Sequence, residues 1–136
     1  ARDCYEAASF TAREDEEILT AISFAKPTGG FAYEKQKRKI GDYATAAAGV
    51  MITIEGGKCT AASVALTNLS DTPVYCADAV DALVGSSLDD ATIKAAVIAA
   101  VDASDPVADT RGPVDFKKHV AGVIVKKAIT SAVARA

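Results

Sequence analysis

The chain changes its hydrophobic period near the middle. From Glu17 to Ala25 the positions alternate, with Ile18, Thr20, Ile22 and Phe24 on one side and Leu19, Ala21 and Ser23 on the other. A period of two predicts a strand. Lys26-Pro27-Thr28-Gly29-Gly30 ends it, because Pro lacks a donor and paired Gly favours a turn. A second strand is predicted from Phe31 to about Lys39; its long basic side chains suit a sheet edge or a ligand-facing surface. Ala44 to Glu55 is the third. Its Ala-rich start also suits a helix, but Val50, Ile52 and Ile54 alternate with Met51, Thr53 and Glu55. Gly56-Gly57 predicts a hairpin turn, with a return strand from Lys58 to Leu69.

After Ser70 the period lengthens. Thr72 and Pro73 are placed to open a helix with Cys76, Val80, Leu83 and Val84 on one face and Gly85 as its stop. Ser87-Leu88-Asp89-Asp90 resembles a capping box and opens a second helix, striped by Ile93, Val97, Ala100 and Val101. It ends before Asp105-Pro106, since a residue preceding Pro avoids helical angles. A polar loop through Asp109, Arg111 and Gly112 reaches Pro113 and a last helix. That helix is striped by Phe116, Val120, Ile124, Ala128 and Ala132, with Lys117, Lys118, Lys126 and Lys127 mostly off the stripe. Residues 1–15 show no clean period and read as a lead-in segment. Strands at about 17–69 followed by helices at about 73–135 predict a single α+β domain. Its antiparallel sheet of three to four strands packs against three C-terminal helices.

Composition narrows the function. A chain of 136 residues is one domain by size, and half of it is hydrophobic, much of that Ala. No apolar run is long enough to span a bilayer. The start at Ala1 without a Met is what a processed chain or a piece of a longer one would show. Cys4, Cys59 and Cys76 match no zinc or iron–sulfur spacing, which suits reduced, structural thiols and a cytoplasmic setting. The single His, His119, is expected on a helix surface, and without partners it supports neither a metal site nor Ser–His–Asp or Cys–His catalysis. The paired glycines are not followed by helices, so neither pair is a phosphate cradle. Asp78, Asp81, Asp89 and Asp90 read as solvated, dipole-compensating acids. A formal net charge of -3 and a single basic cluster argue against nucleic-acid binding.

That cluster is the remaining candidate. Lys35, Lys37, Arg38 and Lys39 precede Gly41-Asp42-Tyr43, after which the chain turns into the small apolar run Ala44 to Val50. One reading is a solvated edge strand leading into a core strand. The other is an anion-facing loop beside a flat ligand such as a flavin, in which Lys35 meets a ring carbonyl, Tyr43 packs on the ring and Asp42 tunes it electrostatically.

The run from Phe31 to Ala46, F-A-Y-E-K-Q-K-R-K-I-G-D-Y-A-T-A, resembles the C-terminal domain of the FAD-binding medium subunit of molybdenum hydroxylases. The likeness is strongest to the aerobic, molybdenum-containing carbon monoxide dehydrogenases. It extends through Glu17 to Ile22, Gly56 to Cys59, Leu66-Thr67-Asn68, Thr72-Pro73, Arg111-Gly112-Pro113 and Ala121-Gly122-Val123. The resemblance implies a domain that closes over the flavin ring, with Lys35, Tyr43, Asp42 and Leu19 as its FAD-contacting residues. It implies a molybdenum cofactor and two [2Fe–2S] clusters on a large molybdenum subunit and a small iron–sulfur subunit, arranged as a dimer of heterotrimers. Electrons would pass through FAD to a quinone-type acceptor, in the cytoplasm or at the inner face of the cell membrane. The same domain in an enzyme for N-heterocycles or aldehydes, or an assembly module without flavin contact, are the other readings. The family's Gly-rich diphosphate-binding segments, of the A-G-G-x-S and T-I-G-G-N type, are absent from this sequence. The expectation is therefore that this chain alone binds little or no FAD.

Overall fold

A computed structural model describes residues 4–136. The helices and the main sheet follow the predicted order. A two-stranded hairpin comes first, β1 (Tyr5–Ala7) and β2 (Phe10–Thr11), turning through Ser9 at φ 66°. The main sheet is antiparallel with order β3-β4-β5-β6, from β3 (Gly30–Gln36), β4 (Ala46–Glu55), β5 (Lys58–Thr67) and β6 (Val74–Tyr75). Helices α1 (Ala77–Leu83), α2 (Asp90–Asp102) and α3 (Val114–Val133) complete the chain. The α+β class, with an antiparallel four-stranded sheet and three C-terminal helices, is as expected.

The β4–β5 hairpin is the spine. Gly56 and Gly57 turn it at φ 58° and 77°, angles that a Cβ would disfavour. Alternation then sorts its side chains. Ala46, Ala48, Val50 and Ile52 of β4, with Val64 and Leu66 of β5, are buried in the core. A bulge at Thr60 lets the end of the hairpin bend toward α1, where Cys59 and the Gly85–Ser86 turn exchange backbone hydrogen bonds.

Helix α3 lies on β3 and β4, with α2 against α3 and α1 against α2 and β5. The helix runs antiparallel to β3. Its C-terminal end holds the start of the strand, where the Arg135 guanidinium donates to the Phe31 carbonyl at 2.8 Å. One to two turns earlier, Lys127 and Ser131 reach Glu34 at 2.8 and 3.4 Å. Small residues permit this approach. A Cβ on Gly30 would stand 2.0 Å from the Ala132 carbonyl oxygen, and one on Gly29 would stand 2.1 Å from that of Ile52. These two glycines therefore serve close packing, whereas the turn glycines with positive φ lie elsewhere.

Five expectations need correction. The strand predicted at Glu17–Ala25 is absent: residues 17–28 join no ladder, and Ile18, Ile22 and Phe24 are exposed. Alternation reports a suitable surface, but a strand also needs a neighbour to bond its backbone. The lead-in segment, by contrast, contains the β1–β2 hairpin. The second strand ends at Gln36 and not Lys39, because the chain turns at residues 38–41. The first helix starts at Ala77, with Cys76 at its N-cap; Val74 and Tyr75 pair instead with β5. The stripe of α3 holds at Ile124, Ala128 and Ala132 but extends to Lys117, Ala121, Val125 and Ile129, whereas Phe116 and Val123 are exposed. The second helix starts where expected, although its cap is Asp89, whose Oδ1 accepts from the Thr92 amide at 2.8 Å.

Gly30→Ala forces backbone apart where Gly49→Ala meets only the Tyr33 ring edge, 3.9 Å away. We expect the first to lower unfolding free energy by more than about 2 kcal/mol and the second by less than about 1, read from urea denaturation.

Candidate functional site

The basic cluster and its acidic and aromatic followers lie on the loop from Lys37 to Thr45, which links edge strand β3 to β4. Thr45 closes the loop by donating its amide to the Gln36 carbonyl at 2.8 Å. Asn68, in a left-handed conformation after β5, donates its side-chain amide to the carbonyls of Ala44 and Thr45. Lys35 sits one pair before the loop, opposite Ala47, on the exposed side of β3 with Phe31 and Tyr33. Among the described residues its ammonium has no hydrogen-bond or ion-pair partner.

Asp42 is the hinge of the site. Its Oδ2 receives the Arg38 Nε at 3.1 Å, and its Oδ1 receives the Tyr43 amide at 2.9 Å and an Arg111 Nη2 at 3.5 Å. The hydrogen bond from Arg38 holds its carboxyl below the ordinary value of 3.8, assisted by the Tyr43 amide and the charge of Arg111. Tyr43 itself is 81% exposed. The Arg111 guanidinium lies 5.7 Å from the centre of its ring, within cation–π range.

Arg111 comes from a loop 69 residues further along the chain. Asp109 and Gly112 exchange backbone hydrogen bonds in a tight loop before α3, and Asp109 Oδ1 accepts from the Arg111 amide at 2.8 Å. Asp109 in turn is held by Lys117, on the first turn of α3. The Lys117 ammonium meets Asp109 Oδ2 at 2.9 Å and the Val107 carbonyl at 2.8 Å, and its side chain is only 2% exposed. A charge this deep is tolerable because it is paired and hydrogen-bonded. The Lys117 hydrogen bond, followed by the Arg111 amide, also holds the Asp109 carboxyl below its ordinary range. A relay of opposite charges thus runs from Lys117 through Asp109 and Arg111 to Asp42 and Arg38. It ties the loop before α3 to the loop after β3. One buried polar atom on it, Arg111 Nε, has no partner.

Asp42 and Tyr43 are therefore together, with Lys35 at the foot of the same loop. Leu19 stands apart from them: 72% exposed, it lines a cleft of about 630 Å³ with Tyr5, Thr11 and Arg13. Arg111, Asp109 and Lys117 were not anticipated as parts of the site. The only local signal was a charged pair, Asp109 and Arg111, just ahead of Gly112-Pro113. The cysteines take no part. Cys59 and Cys76 are free and buried, and burial pushes their thiols up, that of Cys76 to about 11.

With this geometry in view, the comparisons with known proteins are decisive. Residues 31–132 match the model of the CO dehydrogenase flavoprotein C-terminal domain. The chain belongs to that family. It is 50% identical to the carbon monoxide dehydrogenase medium chain of Afipia carboxidovorans, over 100% of this chain and 48% of that one. A solved structure of reconstituted CO dehydrogenase from Oligotropha carboxidovorans superposes with a TM-score of 0.95 at 50% identity, covering 99% of this chain and 48% of that one. Quinoline 2-oxidoreductase from Pseudomonas putida 86 gives a TM-score of 0.90 at 28% identity, over 97% of this chain and 46% of that one. The chain thus spans about half the length of the family members it matches. Lys35, the loop carrying Asp42 and Tyr43, and the loop carrying Arg111 all fall inside the matched domain.

The depressed carboxyls of Asp42 and Asp109 contribute to the acid behaviour. Their contribution to stability is complete above the ordinary carboxyl value and is lost as pH falls through the lower folded value. The urea midpoint should therefore fall as pH drops below the ordinary carboxyl range, and Asp109→Asn should make that decline shallower. An unchanged acid limb in the variant would show that the relay is not ionised as drawn.

Proposed function

We propose that this chain is the flavin-covering C-terminal domain of the FAD-binding medium subunit of a molybdenum-containing carbon monoxide dehydrogenase. The observation that carries the reading is Tyr43. Its ring is 81% exposed, yet the backbone on both sides is fixed, by Asp42 before it and by the Asn68 bond to Ala44 after it. An open aromatic surface on a pinned loop is what a flat ligand requires, because little ordering entropy remains to be lost on binding. These features fit FAD.

FAD, when bound, supplies a flat ring that takes up and releases electrons. This chain's residues would shape the pocket around it. Tyr43 offers an apolar face. Lys35, exposed and unpaired, brings an ammonium to a ring carbonyl, where it stabilises negative charge. Asp42, kept ionised by Arg38 and Arg111, sets the local field and holds Tyr43 through its amide. Leu19 would add an apolar contact once the segment carrying it is docked. No Gly-rich diphosphate cradle occurs in this sequence, so the polypeptide preceding the domain in the longer subunit would supply it.

In this reading the molybdenum cofactor and [2Fe–2S] clusters reside on the large and small partner subunits, and two such heterotrimers associate. Electrons pass from the clusters through FAD to a quinone-type acceptor, in the cytoplasm or at the inner face of the membrane. The match to quinoline 2-oxidoreductase favours a second reading, in which the same domain serves an enzyme acting on an N-heterocycle.

Two measurements test the proposal. Mixed with excess FAD and desalted, the 136-residue chain should retain almost no flavin; a stoichiometric yellow product would contradict the division of the site. In the assembled enzyme, Tyr43→Ala and Lys35→Ala should lower FAD content or slow electron transfer to the acceptor by about tenfold or more. Unchanged values in both would favour an assembly role.

A further inference from the structure

Lys117 is the side chain that the stability of the domain explains least. It lies on the Ala121–Val125–Ala128 face of α3 and is 2% exposed. An ammonium at such a place carries a desolvation penalty, and a methionine of similar shape would fill the same space without it. The charge acts through what it touches. It meets Asp109 Oδ2 at 2.9 Å and donates to the Val107 carbonyl at 2.8 Å.

Asp109 is a forked group. Its Oδ1 accepts from the Arg111 amide, two residues on, at 2.8 Å. Its Oδ2 has a second cation in range, Arg111 Nη1, at 3.9 Å and thus beyond hydrogen-bond distance. Lys117 and Arg111 compete for one oxygen, and Lys117 holds it.

The guanidinium is therefore turned outward. Its Nη2 reaches Asp42 Oδ1 at 3.5 Å, and it lies 5.7 Å from the centre of the Tyr43 ring. Neither contact is strong for an arginine, whose best partner is a carboxylate held through two parallel bonds. Its Nε is buried without a partner, an unfavourable state for a donor. With Oδ2 released by Lys117, Asp109 would offer this guanidinium a nearer charge-assisted bond that needs no further ordering of the chain. Asp42 would keep Arg38 at 3.1 Å and the Tyr43 amide at 2.9 Å. The Tyr43 ring would lose its cation, and the two loops would lose their tie.

We propose that Lys117 is a positioning residue for the Tyr43 surface: by occupying Asp109 Oδ2, it keeps the Arg111 guanidinium on Asp42 and Tyr43. The role is competitive, so it depends on the carboxylate that Lys117 blocks. This rests on the reading of Tyr43 as the flavin-facing surface, to which it adds a control seated on the first turn of α3.

The assembled enzyme tests the competition through FAD content and through hydrogen–deuterium exchange at the bonded loop amides of Asp42, Tyr43 and Thr45. In Lys117→Met, Asp109 is free to capture Arg111, and these amides should exchange at least about tenfold faster while the β4–β5 hairpin is unchanged. Adding Asp109→Asn removes the captor, and loop exchange should return to within about threefold of the original. A side chain that merely fills the core would leave the double variant exchanging no more slowly than the single one. That result, or an unmoved loop in Lys117→Met, would overturn the proposal. Should Lys117→Met fail to fold, Asp109→Asn alone decides. Its urea midpoint should drop while loop exchange stays within about threefold, because Arg111 then has no rival carboxylate beside it. A loosened loop in that variant would overturn the proposal. FAD content should follow loop exchange; the expected exchange pattern at constant FAD content would uphold the positioning and refute the flavin reading alone.

Discussion

The close approach of α3 to the edge of the sheet is the constraint on which the rest of the domain depends. It is set by side chains that are nearly absent: Gly30 beneath Ala132, and Ala46 and Ala48 in the core with Ala121 and Ala128. Burial of larger aliphatic groups provides most of the driving force, through Val50, Ile52, Val64 and Leu66. The alanines and glycines determine how near the layers come. A dense interior leaves no room for an added methyl at such a contact.

That packing has an electrostatic consequence. Because α3 runs antiparallel to β3, the helix start and the strand end share one end of the domain. The loop before α3 and the loop after β3 then lie close enough for Arg111 to reach Asp42. Lys117, buried on the first turn of α3, anchors Asp109, and Asp109 orients Arg111. The Tyr43 ring is thereby positioned by a chain of charges that begins on another element. Exposed ion pairs contribute little to stability on their own. Here their effect is geometric, fixing which way a solvent-facing loop presents its aromatic residue.

The same logic separates the two ends of the sequence. Residues 31–132 carry the buried core and match a recognised domain family. The segment before them adds an exposed hairpin and a run, residues 17–28, that joins no ladder. Under the proposed reading, a flavin site shared with the preceding polypeptide would account for an open aromatic surface without a diphosphate cradle.

Much was legible in the sequence where local physics is self-sufficient. The Gly56-Gly57 hairpin, the order of strands before helices, the Asp89 region as a helix start and Gly85 as a stop all follow from backbone preferences within a few residues. The stretch from Lys35 through Asp42 and Tyr43 stood out for its abrupt change of polarity. Tertiary structure decided what depends on distant partners. Lys117 reads as a surface lysine by its charge although it lies on the Ala121–Val125–Ala128 face, and only Asp109 and the Val107 carbonyl make its burial tolerable. Val74 and Tyr75 became strand because β5 had a free edge to pair with. Residues 17–25 did not, because alternation specifies a face for burial but cannot supply the neighbouring backbone that a strand must bond.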